Sequence, residues 1–552
     1  VLLRNTFAAD NCPRVIAKFL MPAQIRKATA ADAAAWKELL IASLGVDYPN
    51  AEVYDEAWIA LQLEDECQTW VADQKGRLLS SISFLPPRNS VASNIVNLGR
   101  HLFRPEALDD GSATALLAAV HELCAHKRAI ITRVFASDNA AQILVENAGY
   151  ACVGFQPYKH LRRTRDGVLF YARLMRVDRE PKALISESLP QIIELASAVF
   201  LNLQMPPLES VRDGVTGYPV QSEASLTEAT IEDYERALAA AQSSNPPTEV
   251  SGRFNLNCGF LRVDAGIRSA LLARADQTIV GGLAYCVDGT DRSVRVTSTF
   301  STDNLSVGCL FQKLLKMAQE LLNAVYVEVD VLKTAPRLLK TTEQLGFVPI
   351  AYLPGFYEQG EASNDSVKLV KLNLIYTEDS SPLTSQARSI AEVIDHHFQD
   401  QKMGVAIINL LRGLPFFNGL GDGELRKVAR LFTQKLYRPG EKVFNKGDSG
   451  SEAYVVMRGQ VNILLEEDAQ PIAVMGNGQI FGELAFLDGA ARGGLALAVQ
   501  PSILLVIQRS AFNLLVQHEP HLGMVVMRNI AIELSNRLRK MNTALLSSGK
   551  GI

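Results

Sequence analysis

Two long tracts of this sequence run through the same order of helix and strand patterns, and that repetition limits the fold more than any other feature. In residues 25–180, a helix with a 3.6-residue period is followed by an apolar hairpin, a strand, a second helix and another strand. Residues 181–376 repeat this order. Repetition at this spacing indicates a duplicated α/β unit.

The remaining segments complete a multidomain chain, because 552 residues are too many for one compact core. Residues 1–24 are interpreted as an N-terminal extension. The stretch TEDSSPLTSQ introduces a helical linker over residues 377–413. Residues 414–547 combine short, Gly-punctuated strands with a long helix. The predicted fold class is multidomain α+β: two tandem mixed α/β domains, then the linker, then a β-roll with a long C-terminal helix.

Composition excludes several classes of protein. Hydrophobic residues make up 48% of the chain, charged residues 21%, and the formal net charge is -4. This balance is typical of a soluble globular protein and not of one that coats nucleic acid. No run approaches the roughly 20 apolar residues that cross a bilayer, so we expect a cytoplasmic protein without a membrane span. The seven cysteines form no CxxC pair, which indicates reduced thiols and neither a disulfide framework nor a metal site.

The stretch GQIFGELAFLDGAARGG, residues 478–494, carries the most specific chemistry. Around it, apolar runs of about four to eight residues alternate with turn pairs, which predicts a small roll. A helical turn starting at Gly482 would present backbone N–H groups to an anionic oxygen, and Arg492 would add a charge-assisted hydrogen bond. Glu483 can accept from a hydroxyl but repels a multiply charged phosphate. The predicted ligand is therefore a singly charged phosphodiester on a sugar.

These residues resemble the phosphate-binding cassette of the cyclic-nucleotide-binding domain family, whose pattern is F-G-E-x-A-L followed by P-R-x-A. The resemblance covers residues 414–547. It implies that Glu483 bonds the ribose 2′-hydroxyl, that the amides at the start of the turn hold the phosphate, and that Arg492 contacts the exocyclic oxygens. The implied ligand-binding residues are Gly482, Glu483, Leu484, Ala485, Arg492 and Gly493.

Three departures from the family pattern bear on the ligand. Ala491 replaces the proline before the arginine, a glycine pair follows the arginine, and Leu495 stands where Thr or Ser is common. Neither Leu495 nor Gly493 carries the hydroxyl that often accompanies a preference for cGMP, so we expect cAMP. The glycines leave the loop less ordered, which lowers affinity. Some family members keep the fold and bind no nucleotide, and that alternative stays open.

The last helix carries apolar residues at near-heptad spacing. They are Met524, Met527, Ile530, Leu534, Leu538 and Leu545. This stripe is consistent with the seam of a homodimer, and packing back on the helix's own roll is equally allowed. The sequence leaves no room for the winged helix-turn-helix that follows this helix in related transcription factors, so we expect no direct nucleic-acid contact.

The first repeat contains FRPEALDDGSATALLAAV, which reads as a strand, a Gly-containing turn and a helix with unpaired first amides. Together with SDNAAQILVENAGYACVG, it resembles the GNAT-type N-acetyltransferases. The resemblance implies acetyl-CoA as cofactor, with its pyrophosphate in a cradle at this turn. The implied cofactor-binding residues are Gly111, Ser112, Ala113 and Thr114. In the fainter second copy Gly308 survives but Leu310 fills a small-residue position, which indicates a degenerate repeat.

Acetyl transfer needs a group that deprotonates the amine. The candidates are His101, on the strand leading into the cradle, and Glu106 beside it. Each also has a simpler interpretation, His101 as a hydrogen-bonded histidine of a strand and Glu106 as a solvated carboxylate. The tyrosine that often serves as the acid in this family is replaced by Val145 in the first repeat and Thr342 in the second.

Two hypotheses of function follow. In the first, an N-acetyltransferase moves an acetyl group from acetyl-CoA to an amine or protein lysine, and cAMP regulates it through the helical linker. The fusion of a sensor to a transferase favours this hypothesis. In the second, non-catalytic acetyltransferase-like domains form a binding or scaffold surface, and the nucleotide controls assembly. The missing tyrosines and the eroded second cradle favour that alternative.

Overall fold

A computed structural model describes residues 23–46, 48, 50–64, 68–85, 94–161, 165–175, 190–206, 216–220, 224–244, 249–251, 267–303, 305–359, 362–374, 376–377, 380–429, 431–467 and 469–547. Nearly all of the predicted N-terminal extension lies outside these residues. Three cysteines, Cys12, Cys67 and Cys258, also lie outside them. The other cysteines, at positions 124, 152, 286 and 309, are buried and form no disulfide bond. The chain divides into two compact units, residues 1–397 and 398–552.

The N-terminal unit contains both repeats. Strands of the first are β1 (Gln24–Lys27), β2 (Thr69–Gln74), β3 (Arg77–Leu85), β4 (Ile95–Phe103), β5 (Ala129–Phe135), β6 (Ala151–Leu161) and β7 (Arg165–Leu174). Its helices are α1 (Ala33–Leu44), α2 (Glu56–Glu64), α3 (Glu106–Asp109), α4 (Ser112–Leu123) and α5 (Asn139–Asn147). Strands of the second are β8 (Ser225–Ala229), β9 (Glu249–Ser251), β10 (Ile267–Ala275), β11 (Thr278–Asp288), β12 (Ser293–Ser301), β13 (Tyr326–Leu332), β14 (Val348–Gln359) and β15 (Ala362–Leu372). Its helices are α6 (Pro190–Asn202), α7 (Ile231–Ser244), α8 (Ser306–Glu320) and α9 (Pro336–Gln344).

One mixed sheet runs through both repeats in the order β1-β2-β3-β4-β5-β7-β6-β14-β15-β13-β12-β11-β10-β8, and β9 pairs with β12. Within it, β2-β3-β4-β5-β7-β6 has the same arrangement as β10-β11-β12-β13-β15-β14. The repeats meet where β6 pairs antiparallel with β14 at Gly154 and Ala351. The two tracts thus share one sheet, in which the last strand pair of each repeat covers the open edge of the other, and each repeat also has a buried apolar cluster of its own.

The parallel strands of each repeat pair over only part of their length. β4 and β5 are in register over four residue pairs beginning at Ile95 and Ala129. β12 and β13 show the same four-pair register, beginning at Ser293 and Tyr326. Parallel strands require a crossover, which α4 supplies in the first repeat and α8 in the second. Both helices begin beyond the strand ends at which β4 no longer pairs with β5, and β12 no longer pairs with β13. The predicted cradles lie at these ends.

Charged side chains are buried where the repeats meet. The carboxylate of Glu328 on β13 lies 3.1 Å from Nζ of Lys159 on β6 and 2.7 Å from a guanidinium nitrogen of Arg295 on β12. Gln156 donates to the same carboxylate at 2.6 Å. Burial by itself would raise the pKa of Glu328, but the surrounding cations hold it well below its ordinary value. The cluster joins strands from both repeats.

The C-terminal unit is a β-roll with flanking helices. Its elements are α11 (Asp422–Ala429), β16 (Phe432–Tyr437), β17 (Lys442–Phe444), β18 (Glu452–Arg458), β19 (Val461–Leu464), β20 (Ala473–Met475), β21 (Ile480–Phe481), α12 (Glu483–Asp488), β22 (Leu495–Ala498), β23 (Ser502–Gln508), α13 (Arg509–His518) and α14 (Pro520–Ser547), preceded by α10 (Ser385–Arg412). The strands form two sheets, β16-β23-β18-β21 and β17-β22-β19-β20. Helix α10, predicted as part of a linker, contains the boundary between the two units.

Helix α14 uses only part of its apolar stripe for packing within the unit. Ile530 is buried in a core with residues of α11, β18 and β23, and Leu534 packs against that core. Met524, Met527 and Leu538 are exposed. Within the described part of the chain, no helix is long and apolar enough to span a membrane.

Candidate functional site

The cassette stretch folds as the end of a strand, a short helix and a return turn. Strand β21 ends at Phe481, and Gly482 precedes α12 with a left-handed φ of +78°. A Cβ at this glycine would lie 2.8 Å from Nη1 of Arg492. Position 482 therefore favours glycine for two reasons, the left-handed backbone conformation and the close approach of the arginine.

The guanidinium of Arg492 reaches back to the start of this helix, and the residue is only 4% exposed. Nη1 donates to the carbonyl oxygen of Gly482 at 2.8 Å, and Nη2 to that of Glu452 at 2.7 Å. Nε is buried and has no hydrogen-bond partner among the described residues. Because a guanidinium carries five N–H donors, three remain for another acceptor.

Two aromatic rings lie against the guanidinium, and neither was predicted. The Cζ atom of Arg492 is 4.3 Å from the ring centroid of Phe444 and 5.6 Å from that of Tyr454. Tyr454 stacks on Phe481 with 5.2 Å between ring centroids. The sequence places Phe444 and Tyr454 in apolar strand runs, which indicates burial. Their contact with the arginine depends on how the two sheets meet, and no local pattern encodes that.

The backbone of Arg492 is fixed by the turn opposite. Its amide donates to the carbonyl of Asp448 at 2.9 Å, and its own carbonyl accepts from the amide of Gly447 at 2.8 Å. These bonds hold the arginine in place without the proline of the family pattern. Of the two glycines that follow, Gly494 is closely packed, since a Cβ there would lie 2.6 Å from the carbonyl oxygen of Leu464, whereas a Cβ at Gly493 would meet nothing within 4 Å.

The other predicted ligand residues follow Gly482 along α12. Glu483 is 8% exposed and Ala485 is buried, whereas the side chain of Leu484 is 60% exposed. The side chain of Leu484 points to solvent, so this residue can contribute only its amide. Amides in the first turn of a helix have no acceptor within the helix. The structure thus brings Gly482 and Arg492 into contact, and Glu483, Leu484 and Ala485 follow Gly482 in the first turn of α12.

The predicted cradle of the first repeat is capped by the chain itself. Gly111 is the left-handed residue before α4, with a φ of +77°. Oδ1 of Asp110 accepts from the amide of Ser112 at 2.8 Å. Ala113 is buried and Thr114 is exposed. The amide of Ser112, which the resemblance assigns to a pyrophosphate, therefore already donates to a carboxylate.

In the second repeat the same position is closed more completely. Oδ1 of Asp303 accepts from the amide of Ser306 at 3.0 Å. A Cβ at Gly308 would lie only 2.1 Å from the carbonyl oxygen of Pro219. The glycine here allows another segment of the chain to pack against α8.

The two predicted base residues lie in unlike surroundings. His101 is buried, its Nε2 is 2.8 Å from Oγ1 of Thr132, and burial lowers its pKa to about 4. Glu106, on α3, is partly exposed and forms an ion pair with Arg77. No hydrogen bond or ion pair joins His101 to Glu106 in the described structure, so the two do not form an acid–base pair. No group of His, Cys, Asp or Glu among the described residues could hold a metal ion.

Comparison with known proteins concerns the C-terminal part. The family model of the cyclic nucleotide-binding domain matches residues 434–519. The chain is 32% identical over 138 residues to the cyclic AMP receptor protein of Thermus thermophilus, covering 24% of this chain and 62% of that protein. It is 29% identical over 115 residues to the cGMP-dependent protein kinase egl-4 of Caenorhabditis briggsae, covering 20% and 15%. A solved cyclic nucleotide-binding domain from Methylobacillus flagellatus is 25% identical with a TM-score of 0.25, covering 27% of this chain and 86% of that one.

The chain spans less than two thirds of the length of both curated relatives. Nothing in these comparisons identifies the N-terminal unit as a GNAT-type acetyltransferase. The segment that carries Arg492 and the short helix beside it is the segment that the family model matches. Residues 434–519 are a cyclic nucleotide-binding domain.

Proposed function

We propose that the C-terminal unit binds cAMP and that its phosphodiester accepts hydrogen bonds from the unused donors of Arg492. The observation that carries this proposal is the buried Nε of that arginine, which has no hydrogen-bond partner in the described part of the chain. A buried donor without an acceptor destabilises a protein by about 1–3 kcal/mol, so an anionic oxygen that accepts from Nε removes this unfavourable contribution. The hydrogen bond it forms is charge-assisted.

The charge of the ligand follows from the residues beside the arginine. One guanidinium neutralises one negative charge, and Glu483, the largely buried first residue of α12, is proposed to face the same ligand. A second negative charge on the phosphate would meet this carboxylate in a site of low dielectric. The proposed ligand is therefore a cyclic phosphodiester, with Glu483 accepting from the ribose hydroxyl.

The proposed preference for cAMP rests on two positions that provide no side-chain hydroxyl. Leu495 is buried on β22, and Gly493 has no side chain to offer. The names of the relatives include both a cyclic AMP receptor and a cGMP-dependent kinase, so the choice depends on these positions and not on the comparisons. Isothermal titration of the full chain with cAMP, cGMP and 5′-AMP tests the proposal. We expect cAMP to bind most tightly and 5′-AMP, with its second charge, most weakly; equal affinity for all three would contradict it.

The second candidate function is N-acetyl transfer from acetyl-CoA in the first repeat. Gly111 supports it, since an added Cβ there would meet nothing within 4 Å and leaves room for a phosphate. Asp110 opposes it, because its carboxylate holds the Ser112 amide and has the same sign of charge as a pyrophosphate. The residues fit this cofactor poorly. The capped turn therefore counts against acetyl transfer, and the alternative is a non-catalytic N-terminal unit that acts as a nucleotide-controlled binding or scaffold surface.

Thermal unfolding with acetyl-CoA separates these two functions. An acetyltransferase should be stabilised by acetyl-CoA, Asp110→Asn should enlarge that shift, and Gly111→Trp should remove it. A melting temperature that acetyl-CoA leaves unchanged in wild type and in both variants would contradict acetyl transfer and leave the non-catalytic alternative. The exposed Met524, Met527 and Leu538 on α14 are the proposed seam of a homodimer, and sedimentation of Met527→Lys with and without cAMP tests whether the nucleotide controls assembly.

A further inference from the structure

A cleft of about 730 Å³ lies in the second repeat, away from that repeat's closed cradle. One face of α8, the end of α9 and the end of β15 line it. Three of the lining residues are lysines, Lys313, Lys316 and Lys371. Among the described residues that line the cleft, none is an aspartate or a glutamate. The cleft therefore concentrates positive charge without a counter-charge of its own.

The three cations are placed to act together. Lys313 and Lys316 are three residues apart on α8, so they lie on the same face of the helix. Lys371, on β15, is half-buried, and its Nζ donates to the carbonyl oxygen of Leu345 at 2.7 Å. Burial lowers the pKa of Lys371. A nearby anion would favour the charged form of this amine, which carries two N–H donors besides the one that bonds Leu345.

The first repeat shows that these lysines are not required by the fold. When α4 and α8 are aligned at their first residues, Ser112 and Ser306, the positions of Lys313 and Lys316 correspond to Ala119 and Glu122. The duplicated helix thus packs on the same sheet with neither cation.

The third cation has a counterpart with a structural role. Arg173 on β7 occupies the position that Lys371 occupies on β15. Each is paired with the second residue of the neighbouring strand, β5 in the first repeat and β13 in the second. Arg173 donates to the carbonyl of Ala148, as Lys371 does to Leu345. Its guanidinium also reaches Nδ1 of His121 at 2.6 Å, whereas α8 carries Leu315 at the position of His121. A leucine side chain has no hydrogen-bonding atom, so this second contact of the cation has no counterpart at Leu315.

We propose that this cleft binds a small molecule carrying two or more negative charges on phosphate groups. Its volume is within the range of small-molecule sites. Leu226 and Leu315 give it an apolar wall for the uncharged part of such a ligand, and the lysines provide point charges suited to phosphate. This site is separate from the cyclic-nucleotide site, whose ligand has a single negative charge, and it does not depend on the function proposed above.

The experiment uses the full chain and tripolyphosphate as the probe, titrated calorimetrically at constant ionic strength. The test variant is Lys313→Ala/Lys316→Glu, which installs the residues of the first repeat. The control, Lys27→Glu/Lys75→Ala, makes the same change in net charge elsewhere on the same unit. We expect the test variant to bind tripolyphosphate at least about tenfold more weakly than wild type and the control to bind as wild type does.

Two results would overturn the proposal. One is wild-type protein that does not bind tripolyphosphate at millimolar concentration. The other is equal weakening in the test and control variants, which would show diffuse attraction to the surface. Binding of cAMP is measured in the same samples, and because the site is in the other unit we expect it to be unchanged by either double variant. Lys371→Met serves as a second test and should also weaken binding of the probe.

Discussion

Phe444 lies over the guanidinium of Arg492, with 4.3 Å between Cζ of the arginine and the centroid of the phenyl ring. The ring covers a face of the guanidinium while two backbone carbonyls accept from its edge. None of these groups carries a formal charge, so the arginine is positioned without being neutralised. Positioning a charged group before the ligand arrives reduces the entropy lost on binding.

Replacing Phe444 with leucine should weaken cAMP binding by about 2- to 30-fold, because a cation–π contact contributes about 0.5–2 kcal/mol. Leucine keeps an apolar side chain at the site but removes the ring. Phe444→Tyr, which keeps the ring, is the matched control and should bind like wild type. The measurement is the dissociation constant of cAMP by calorimetry, and unchanged affinity in the leucine variant would rule out a positioning role for the ring.

The glycines of the cassette should differ in their response to alanine. Gly482→Ala should destabilise the unit by roughly 1–2 kcal/mol, because the left-handed backbone disfavours a Cβ and Arg492 stands in its way. At Gly493 a Cβ would meet nothing within 4 Å. Gly493→Ala should leave stability unchanged or raise it by up to about 1 kcal/mol. Thermal unfolding of the two variants decides the matter, and the reverse order would contradict this account of the turn.

The sequence predicted the C-terminal roll and the place of its cassette because the informative residues are close together in the chain. The segment from Gly482 to Arg492 specifies a tight turn, a short helix and one cation by itself. Phe444 and Glu452, which complete the arginine's surroundings, lie on other strands, and their contacts exist only after the sheets assemble. The capping role of Asp110 was missed for a different reason. An aspartate just before a helix is a recognisable capping signal, and it could have warned that the cradle amides are engaged.

The repeated order of elements in the N-terminal unit was visible in the sequence, but the way the repeats join was not. A single antiparallel bridge, Gly154 to Ala351, connects β6 to β14. The buried partners of Glu328 come from both repeats, and Lys159 is 169 residues away from it in the chain. Contacts of this kind leave no local periodicity. A buried Lys or Glu in an otherwise apolar strand therefore looks like an exposed one until its partner is known.

Glu328→Gln should destabilise the N-terminal unit by about 3–5 kcal/mol, because it leaves the buried cations around it without a counter-charge. Glu56→Gln, at an exposed pair with Lys37, is the matched control and should change stability by less than about 1 kcal/mol. Because the pKa of Glu328 is lowered in the folded state, its contribution is complete above pH 4.5 and is lost as the pH falls below that value. Denaturant unfolding at neutral and acidic pH measures both effects; similar losses in the two variants would contradict the role assigned to the cluster.

His101 should make the N-terminal unit less stable as the pH falls from 6.5 toward 4. Its pKa is about 4 in the folded protein because burial disfavours the charged form, so in this range only the unfolded chain takes up the proton. The loss should reach about 3 kcal/mol. His101→Gln cannot titrate and should show a correspondingly smaller loss over the same range. Urea unfolding at several pH values compares the two proteins, and parallel pH profiles would show that His101 is not the group responsible.

The central claim is that Arg492 is the anion-binding group of a cAMP site, and titration of cAMP into wild type and Arg492→Lys tests it most directly. Lysine keeps the positive charge but loses the planar donors and the stacking surface. Circular dichroism and melting without ligand establish that the variant is folded. We predict that wild type binds cAMP and that the variant binds about 10- to 100-fold more weakly, as expected for a lost charge-assisted bond. Equal affinity in the two proteins, or no binding by wild type, would contradict the claim.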